Sequence, residues 1–162
     1  MTRRELLSPE AIRRDIDRDG YVLLTGLLPA YDDEAFRRIV STRIDRDIST
    51  ITVHAYHDDP TTERPLHHDD DDAYVAITLL SKPEHDFTGG ELILVEQRPR
   101  MQSRAIVVPM NIGDIAILPA GRRDAMGTKG PYRVIVRRTV GRVLSGTRHT
   151  LEARVFRPST SP

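Results

Sequence analysis

The sequence contains no cysteine and no tryptophan, only eight aromatic residues in 162, and 24 basic residues of which just Lys82 and Lys129 are lysines. Without cysteine there can be no disulfide framework, no thiolate metal centre and no cysteine nucleophile, so any metal would need histidine and carboxylate ligands. With so few aromatics the core must be built from Val, Ile and Leu, whose β-branched members favour strands. No window approaches the ~20 uncharged apolar residues that span a bilayer. The first residues, Met1-Thr2-Arg3-Arg4-Glu5, lead into charge rather than an apolar leader core. The expectation is a cytoplasmic protein with no membrane partner and, at this length, one compact domain.

Charge is present in quantity but unevenly placed. The formal net charge is zero, yet residues 1 to 96 carry 11 basic and 21 acidic groups, and residues 97 to 162 carry 13 and 3. The second half is thus rich in arginine, whose planar fork suits carboxylate and phosphate, and it points to an anionic ligand. Nucleic acid is not the expected partner, because the arginines are not interleaved with aromatics and the acidic first half opposes a phosphate backbone. A small-molecule ligand fits better.

Ser8-Pro9-Glu10 reads as a helix start, with Ser as N-cap and Pro in the first turn, running through Ala11, Ile12 and Ile16 to a stop at Gly20. Tyr21 to Leu24 reads as a short strand. Tyr31 to Thr42 carries acids early, arginines late and Ala35, Phe36, Ile39 and Val40 on one side, the pattern of an amphipathic helix. From residue 49 onward, short apolar runs cut by turn residues occupy 49–56, 73–80, 91–96, 104–109, 115–118, 132–140 and 147–156. Seven or eight strands capped by two helices predict a mainly β sandwich or jelly roll, with residues 1–48 as cap and 49–162 as core.

Chemistry concentrates at Leu66-His67-His68-Asp69. On a strand, the period of two places His67 and Asp69 on one face, so an imidazole and a carboxylate aim at one point. Such a pair forms two thirds of a 2-His-1-carboxylate facial triad, which leaves open positions on ferrous iron. The acidic run Asp69 to Asp72 reads as a solvated loop, although its carboxylates are the type that hold Ca²⁺ or Mg²⁺.

Beyond this pair, the run Asp86-Phe87-Thr88-Gly89-Gly90-Glu91-Leu92, the segment Glu96-Gln97-Arg98-Pro99-Arg100-Met101-Gln102-Ser103-Arg104, Gly113-Asp114, and Ser145-Gly146-Thr147-Arg148-His149-Thr150-Leu151 resemble the iron(II)/2-oxoglutarate-dependent oxygenase superfamily, in particular small bacterial prolyl-hydroxylase-like members. The resemblance is close over 66–156 and loose before it. It implies a double-stranded β-helix, a dioxygenase activity with Fe(II) and 2-oxoglutarate as cofactors, and hydroxylation of a small or amino-acid-like molecule. It assigns His67 and Asp69 to iron and Arg148 to the distal carboxylate of 2-oxoglutarate, with Tyr56 as a candidate second contact. His149 faces away from Arg148 and reads as structural.

One position departs from the pattern. The resemblance places the second histidine ligand ten residues before Arg148, followed by Val140, Val143 and Gly146, and that position holds Arg138. A guanidinium has no lone pair to give and stays protonated, so it cannot ligate iron. Three outcomes are open. Arg138 turns into the metal position and binds Asp69; iron is held by His67, Asp69 and 2-oxoglutarate, with water or His54 in the third place; or the register shifts and Arg138 points outward. The first makes the chain a metal-free binding module or a non-oxidative catalyst of cyclisation or isomerisation, with Arg138 as its electrostatic group. In all cases Arg148 and Asp69 are expected at one barrel mouth, around a pocket with room for a five-carbon diacid.

Overall fold

The computed structural model describes residues 8–28, 30–69 and 72–156, with the side chains of Ile48 and Asp72 excepted. Asp70 and Asp71 of the acidic run lie outside the described residues. The first helix, α1 (Pro9–Asp19), starts where Ser8 Oγ accepts the Ala11 N–H at 3.2 Å and stops at Gly20, whose φ of 90° lets its N–H reach the Ile16 carbonyl. The short strand β1 (Val22–Leu24) follows, then α2 (Asp33–Ile44), capped by Asp32. Ten further strands complete the chain: β2 (Ile51–Asp58), β3 (Asp72–Leu79), β4 (Phe87–Gly89), β5 (Leu92–Gln97), β6 (Arg104–Val108), β7 (Ile115–Pro119), β8 (Arg122–Gly127), β9 (Gly130–Val140), β10 (Val143–Gly146) and β11 (Arg148–Phe156).

The strands are antiparallel and form a five-stranded sheet ordered β1-β7-β3-β11-β2, a four-stranded sheet ordered β6-β5-β9-β8, and a β10-β4 pair. This is the expected mainly β jelly roll with two N-terminal helices on one sheet. Three strands exceed the expectation. The pairs β4 and β10 are three and four residues long and carry glycine, while β8 is half charged, so none shows an apolar run to read.

Alternation along the large sheet creates two compartments. Leu151, Ala153 and Val155 of β11, with Ala76, Ile115 and Ile117, pack against Ile12 and Ile16 of α1 and Phe36, Val40 and Ile44 of α2. The opposite face turns Val75, Ile77, Ala116 and Leu118 toward Leu92, Leu94 and Val108 of the small sheet. At the β11 and β2 side of this interior, the inward residues change from aliphatic to ionic, and the candidate site begins there. Among the described residues no helix is long and apolar enough to cross a membrane.

The far end of the barrel is closed by another ionic group. Glu96 ends the inward row Leu92, Leu94, Glu96 on β5 and is fully buried. Its two carboxylate oxygens accept from Arg123 at 2.7 and 2.9 Å, and Arg104 adds a contact at 3.1 Å. Arg123 also donates to the Asp17 carbonyl at 2.6 Å, tying α1 to this plug.

Candidate functional site: an ionic pocket at the barrel mouth

His67 and Arg138 face one another across an antiparallel bridge. The His67 N–H donates to the Arg138 carbonyl at 3.1 Å, and the Arg138 N–H donates back at 2.8 Å. Two residues on, the Asp69 N–H donates to the Ala120 carbonyl at 3.0 Å. The segment 66–69 is thereby held along β9, and the sequence-predicted trio of His67, Asp69 and Arg138 converges.

Arg138 turns inward. Its side chain is 3% exposed, and Nη2 donates to Asp69 Oδ2 at 2.6 Å and to Glu152 Oε1 at 3.1 Å, while Nη1 reaches the Ala120 carbonyl at 3.4 Å. Burial pushes the Asp69 carboxyl up, but the Arg138 hydrogen bond and charge, aided by Arg154, outweigh it and hold the group below the usual carboxylate range. Arg154 donates to Glu152 at 3.2 Å and to the Tyr56 hydroxyl at 3.2 Å. Both neighbours of Asp69 and Glu152 are therefore cations.

Arg148 lies on the same inward row as Glu152, 3% exposed, directly opposite Asp58 of β2. Among the described residues its one hydrogen bond is Nη1 to Asp58 Oδ2 at 3.4 Å, and its Nε is buried with no acceptor. Asp58 gives its other oxygen to Arg64, which donates to Oδ1 from Nε at 2.8 Å and from Nη2 at 2.7 Å. The Arg64 guanidinium also lies over the Tyr56 ring, 4.2 Å from its centre, and roofs the pocket. Burial pushes the Arg148 pKa down, with the Asp58 charge opposing that shift.

Around this cavity Arg64, Arg138, Arg148 and Arg154 meet three carboxylates, those of Asp58, Asp69 and Glu152. Counted among the described residues, one positive charge is left over, and the least satisfied guanidinium is that of Arg148. The free space is about 30 Å³, enough for one or two waters. The expected room for a five-carbon diacid is absent in this arrangement because Arg64 and Asp58 fill the mouth.

The sequence-predicted residues fall as follows. Tyr56, His67, Arg138 and Arg148 line the cavity, and Asp69 joins it through Arg138. His54 is exposed on β2 and does not line it. His149 is half-buried on the other face, edge-on to His57 with ring centres 4.3 Å apart. Sequence reading missed Asp58, Arg64, Glu152 and Arg154. Three of them were within reach of the strand period, since Asp58 is two positions from Tyr56, and Glu152 and Arg154 are four and six from Arg148.

These residues do not provide the metal set that the superfamily implies. His67 Nδ1 lies 3.0 Å from the Pro65 carbonyl and can only donate to it, which leaves Nε2 with the lone pair for a metal. Asp69, however, is committed to a guanidinium, and among the described residues no three His, Asp or Glu side chains group to hold a metal. A cation entering beside Arg138 would meet a fixed like charge, worth about 4 kcal/mol per unit charge product at 4 Å and an effective dielectric near 20.

Comparison with known proteins agrees with this architecture. The fold is similar to a prolyl-4-hydroxylase from Pseudomonas putida, with a TM-score of 0.58 at 15% identity over 93% of this chain and 95% of that one. It is also similar to a prolyl 4-hydroxylase from Phytophthora capsici, TM-score 0.60 at 13% identity over 97% of this chain and 65% of the other. A 2OG-Fe(II) oxygenase family protein from Burkholderia pseudomallei gives a TM-score of 0.58 at 11% identity over 93% and 91%. In sequence, the uncharacterized proteins Rv2227 and MT2286 of Mycobacterium tuberculosis are 38% identical over 72 residues, 44% of this chain. That stretch spans about a third of those relatives' length, 31%. Residues 50–157 match the profile of the Oxygenase-NA family, described as an oxygenase catalysing oxidative methylation of damaged DNA, and the chain belongs to that family.

Proposed function

We propose that the barrel binds a small carboxylate, a 2-oxo acid such as 2-oxoglutarate, with Arg148 as its anchor. The observation that carries this reading is the state of Arg148: a buried guanidinium whose Nε has no acceptor and whose one hydrogen bond among the described residues is long. Such a group gains most from an incoming carboxylate, which accepts two parallel charge-assisted hydrogen bonds. Entry requires Arg64, whose side chain is 25% exposed, to swing outward and give up its hold on Asp58. The ligand carboxylate then binds the Arg148 donors that Asp58 leaves unused.

Isothermal titration calorimetry with 2-oxoglutarate and succinate tests this. Arg148→Ala is expected to weaken binding by about 2 kcal/mol or more, roughly 30-fold, because it leaves the ligand carboxylate unpaired. Equal affinity in both proteins, or none in either, would overturn the assignment.

The finer reading, a hydroxylase of a small or amino-acid-like molecule, adds iron at His67 and Asp69. Supporting it are the retained pair and the retained anchor; against it stands Arg138 in the third position. Succinate release from 2-oxoglutarate with added Fe(II) and ascorbate would establish that reading.

A nucleic acid is a second candidate ligand, favoured by the family's description and by one surface. Two adjoining grooves of about 560 and 610 Å³ flank α1 and the β8-β9 hairpin, each lined by five arginines with Arg123 shared, against only Asp17, Glu96 and Asp124. Arg13, Arg14, Arg18 and Arg46 come from the acidic half of the sequence, so charge counted by halves does not describe this surface. Fluorescence anisotropy of a labelled single-stranded oligonucleotide, with an affinity that falls steeply as salt rises, would support this ligand.

A further inference from the structure

The position that a metal would take is already occupied by a side-chain cation. We infer that Arg138 is a built-in replacement for the metal, its guanidinium neutralising Asp69 and Glu152 from within the barrel so that the pocket holds its anion at Arg148 with no metal bound. The inference deepens the carboxylate-binding reading and rests on it for the anion, but not for the metal.

Three features carry it. First, Arg138 is in the right place by backbone register: its N–H and C=O both pair with His67, so its side chain and that of His67 leave neighbouring strands at the same level. Second, the guanidinium is held by three acceptors, Asp69 at 2.6 Å, Glu152 at 3.1 Å and the Ala120 carbonyl at 3.4 Å, two of them carboxylates. A buried cation with that many acceptors is not displaced by an ion that must first remove it from its partners. Third, Glu152 is a second inward carboxylate that has no part in the expected ligand set, and its other neighbour is Arg154 at 3.2 Å. Among the described residues, Asp69, Glu152, Arg138 and Arg154 therefore form a group of two anions and two cations, balanced before any ion arrives. A divalent metal would add two charges to a group that needs none.

The consequence is a change in the class of activity. Asp69 serves as the counter-ion of an arginine, and His67 keeps an Nε2 lone pair that no partner cation shares. Ligand capture at Arg148 is then independent of metal, and 2-oxo acid is bound without being consumed with oxygen.

The test uses Co²⁺, whose visible absorption reports a protein-bound ion directly, together with the calorimetry already described. The unmodified protein is expected to show no Co²⁺ band at micromolar metal and the same 2-oxoglutarate affinity with and without EDTA. Arg138→His is expected to gain a Co²⁺ site, binding on the order of 100-fold tighter than the unmodified protein, as one repelling charge leaves and one imidazole enters. Arg138→Lys, which keeps the charge, is expected to gain nothing and serves as the second variant if the histidine variant does not fold. A Co²⁺ band in the unmodified protein at one ion per chain, or loss of 2-oxoglutarate binding in EDTA, would overturn the inference while leaving Arg148 as the anchor. Absence of any 2-oxoglutarate binding, with Co²⁺ still rejected until Arg138→His, would instead overturn the carboxylate reading and leave the metal replacement standing.

Discussion

Asp69 and Arg138 illustrate how one substituted position reorganises its neighbours. The Asp69 carboxyl titrates below its ordinary value in the folded protein, whereas in the unfolded chain it titrates near about 3.9. A depressed folded value means that the stabilisation is complete above the unfolded pKa and disappears as pH falls through the folded one. Asp69→Asn is therefore expected to be less stable than the unmodified protein by about 1 to 3 kcal/mol at pH 6, through loss of a charged acceptor for a buried guanidinium. The difference should begin to narrow near about pH 4, the unfolded value, and close only as pH falls through the lower folded value, where Asp69 becomes neutral in both states. Urea unfolding followed from pH 6 into the acid range measures this; a difference that does not narrow below about pH 4 would mean that Asp69 acts through packing rather than charge. Spacing puts His67 and Asp69 on one face, a weak signal by itself, and the family resemblance is what marks them as a pair at one site. Glu152 was not legible, because a single glutamate in an alternating strand reads as a solvent-facing residue until a buried arginine is found beside it.

At the level of elements, local signals and long-range pairing differ in how far they can be read. Helix α1 was legible almost to the residue, since an N-cap serine, a first-turn proline and a terminal glycine are chemical instructions carried within a dozen positions. Ser8→Ala removes the cap to Ala11 and is expected to cost about 1 kcal/mol of stability, read as a lowered urea midpoint with unchanged slope. The β10-β4 pair is the opposite case. Its four and three residues bring together Gly146 and Phe87, far apart in sequence, and nothing local announces them. Gly146 has φ of 74°, and a Cβ there would collide with the Asp86 carbonyl and Phe87 Cα. Gly146→Ala should thus cost more than about 1 kcal/mol, combining strain in the left-handed region with a backbone clash. Thermal melting of the variant reads this directly, and an unshifted melt would show that β10 relaxes without cost. The same clash would move the start of β11 and with it Arg148, so carboxylate affinity should fall in parallel.

The whole molecule depends on an ionic plug that no apolar pattern predicts. Removing the Glu96 side chain leaves Arg123, only 8% exposed, without its carboxylate, so Glu96→Ala is expected to destabilise by about 3 to 5 kcal/mol in urea unfolding. A loss below 1 kcal/mol would mean that water enters and solvates Arg123 instead. The jelly roll itself was legible from seven apolar runs cut by turns, because strands covered on both faces keep short apolar runs in the sequence. The way in which α1 joins β5, β6 and β8 through Glu96 and Asp17 was not, because it is made by charges whose partners lie up to 106 positions apart. The row Leu92, Leu94, Glu96 crosses the interior from the pocket to this plug over about 13 Å. Among the described residues, a barrel stoppered at that end leaves the opening beside Arg64 as its door. A molecule seated against Arg148 must depart by the route it came, past Arg64, so capture and release share a single gatekeeper, and a residue that slows one slows the other.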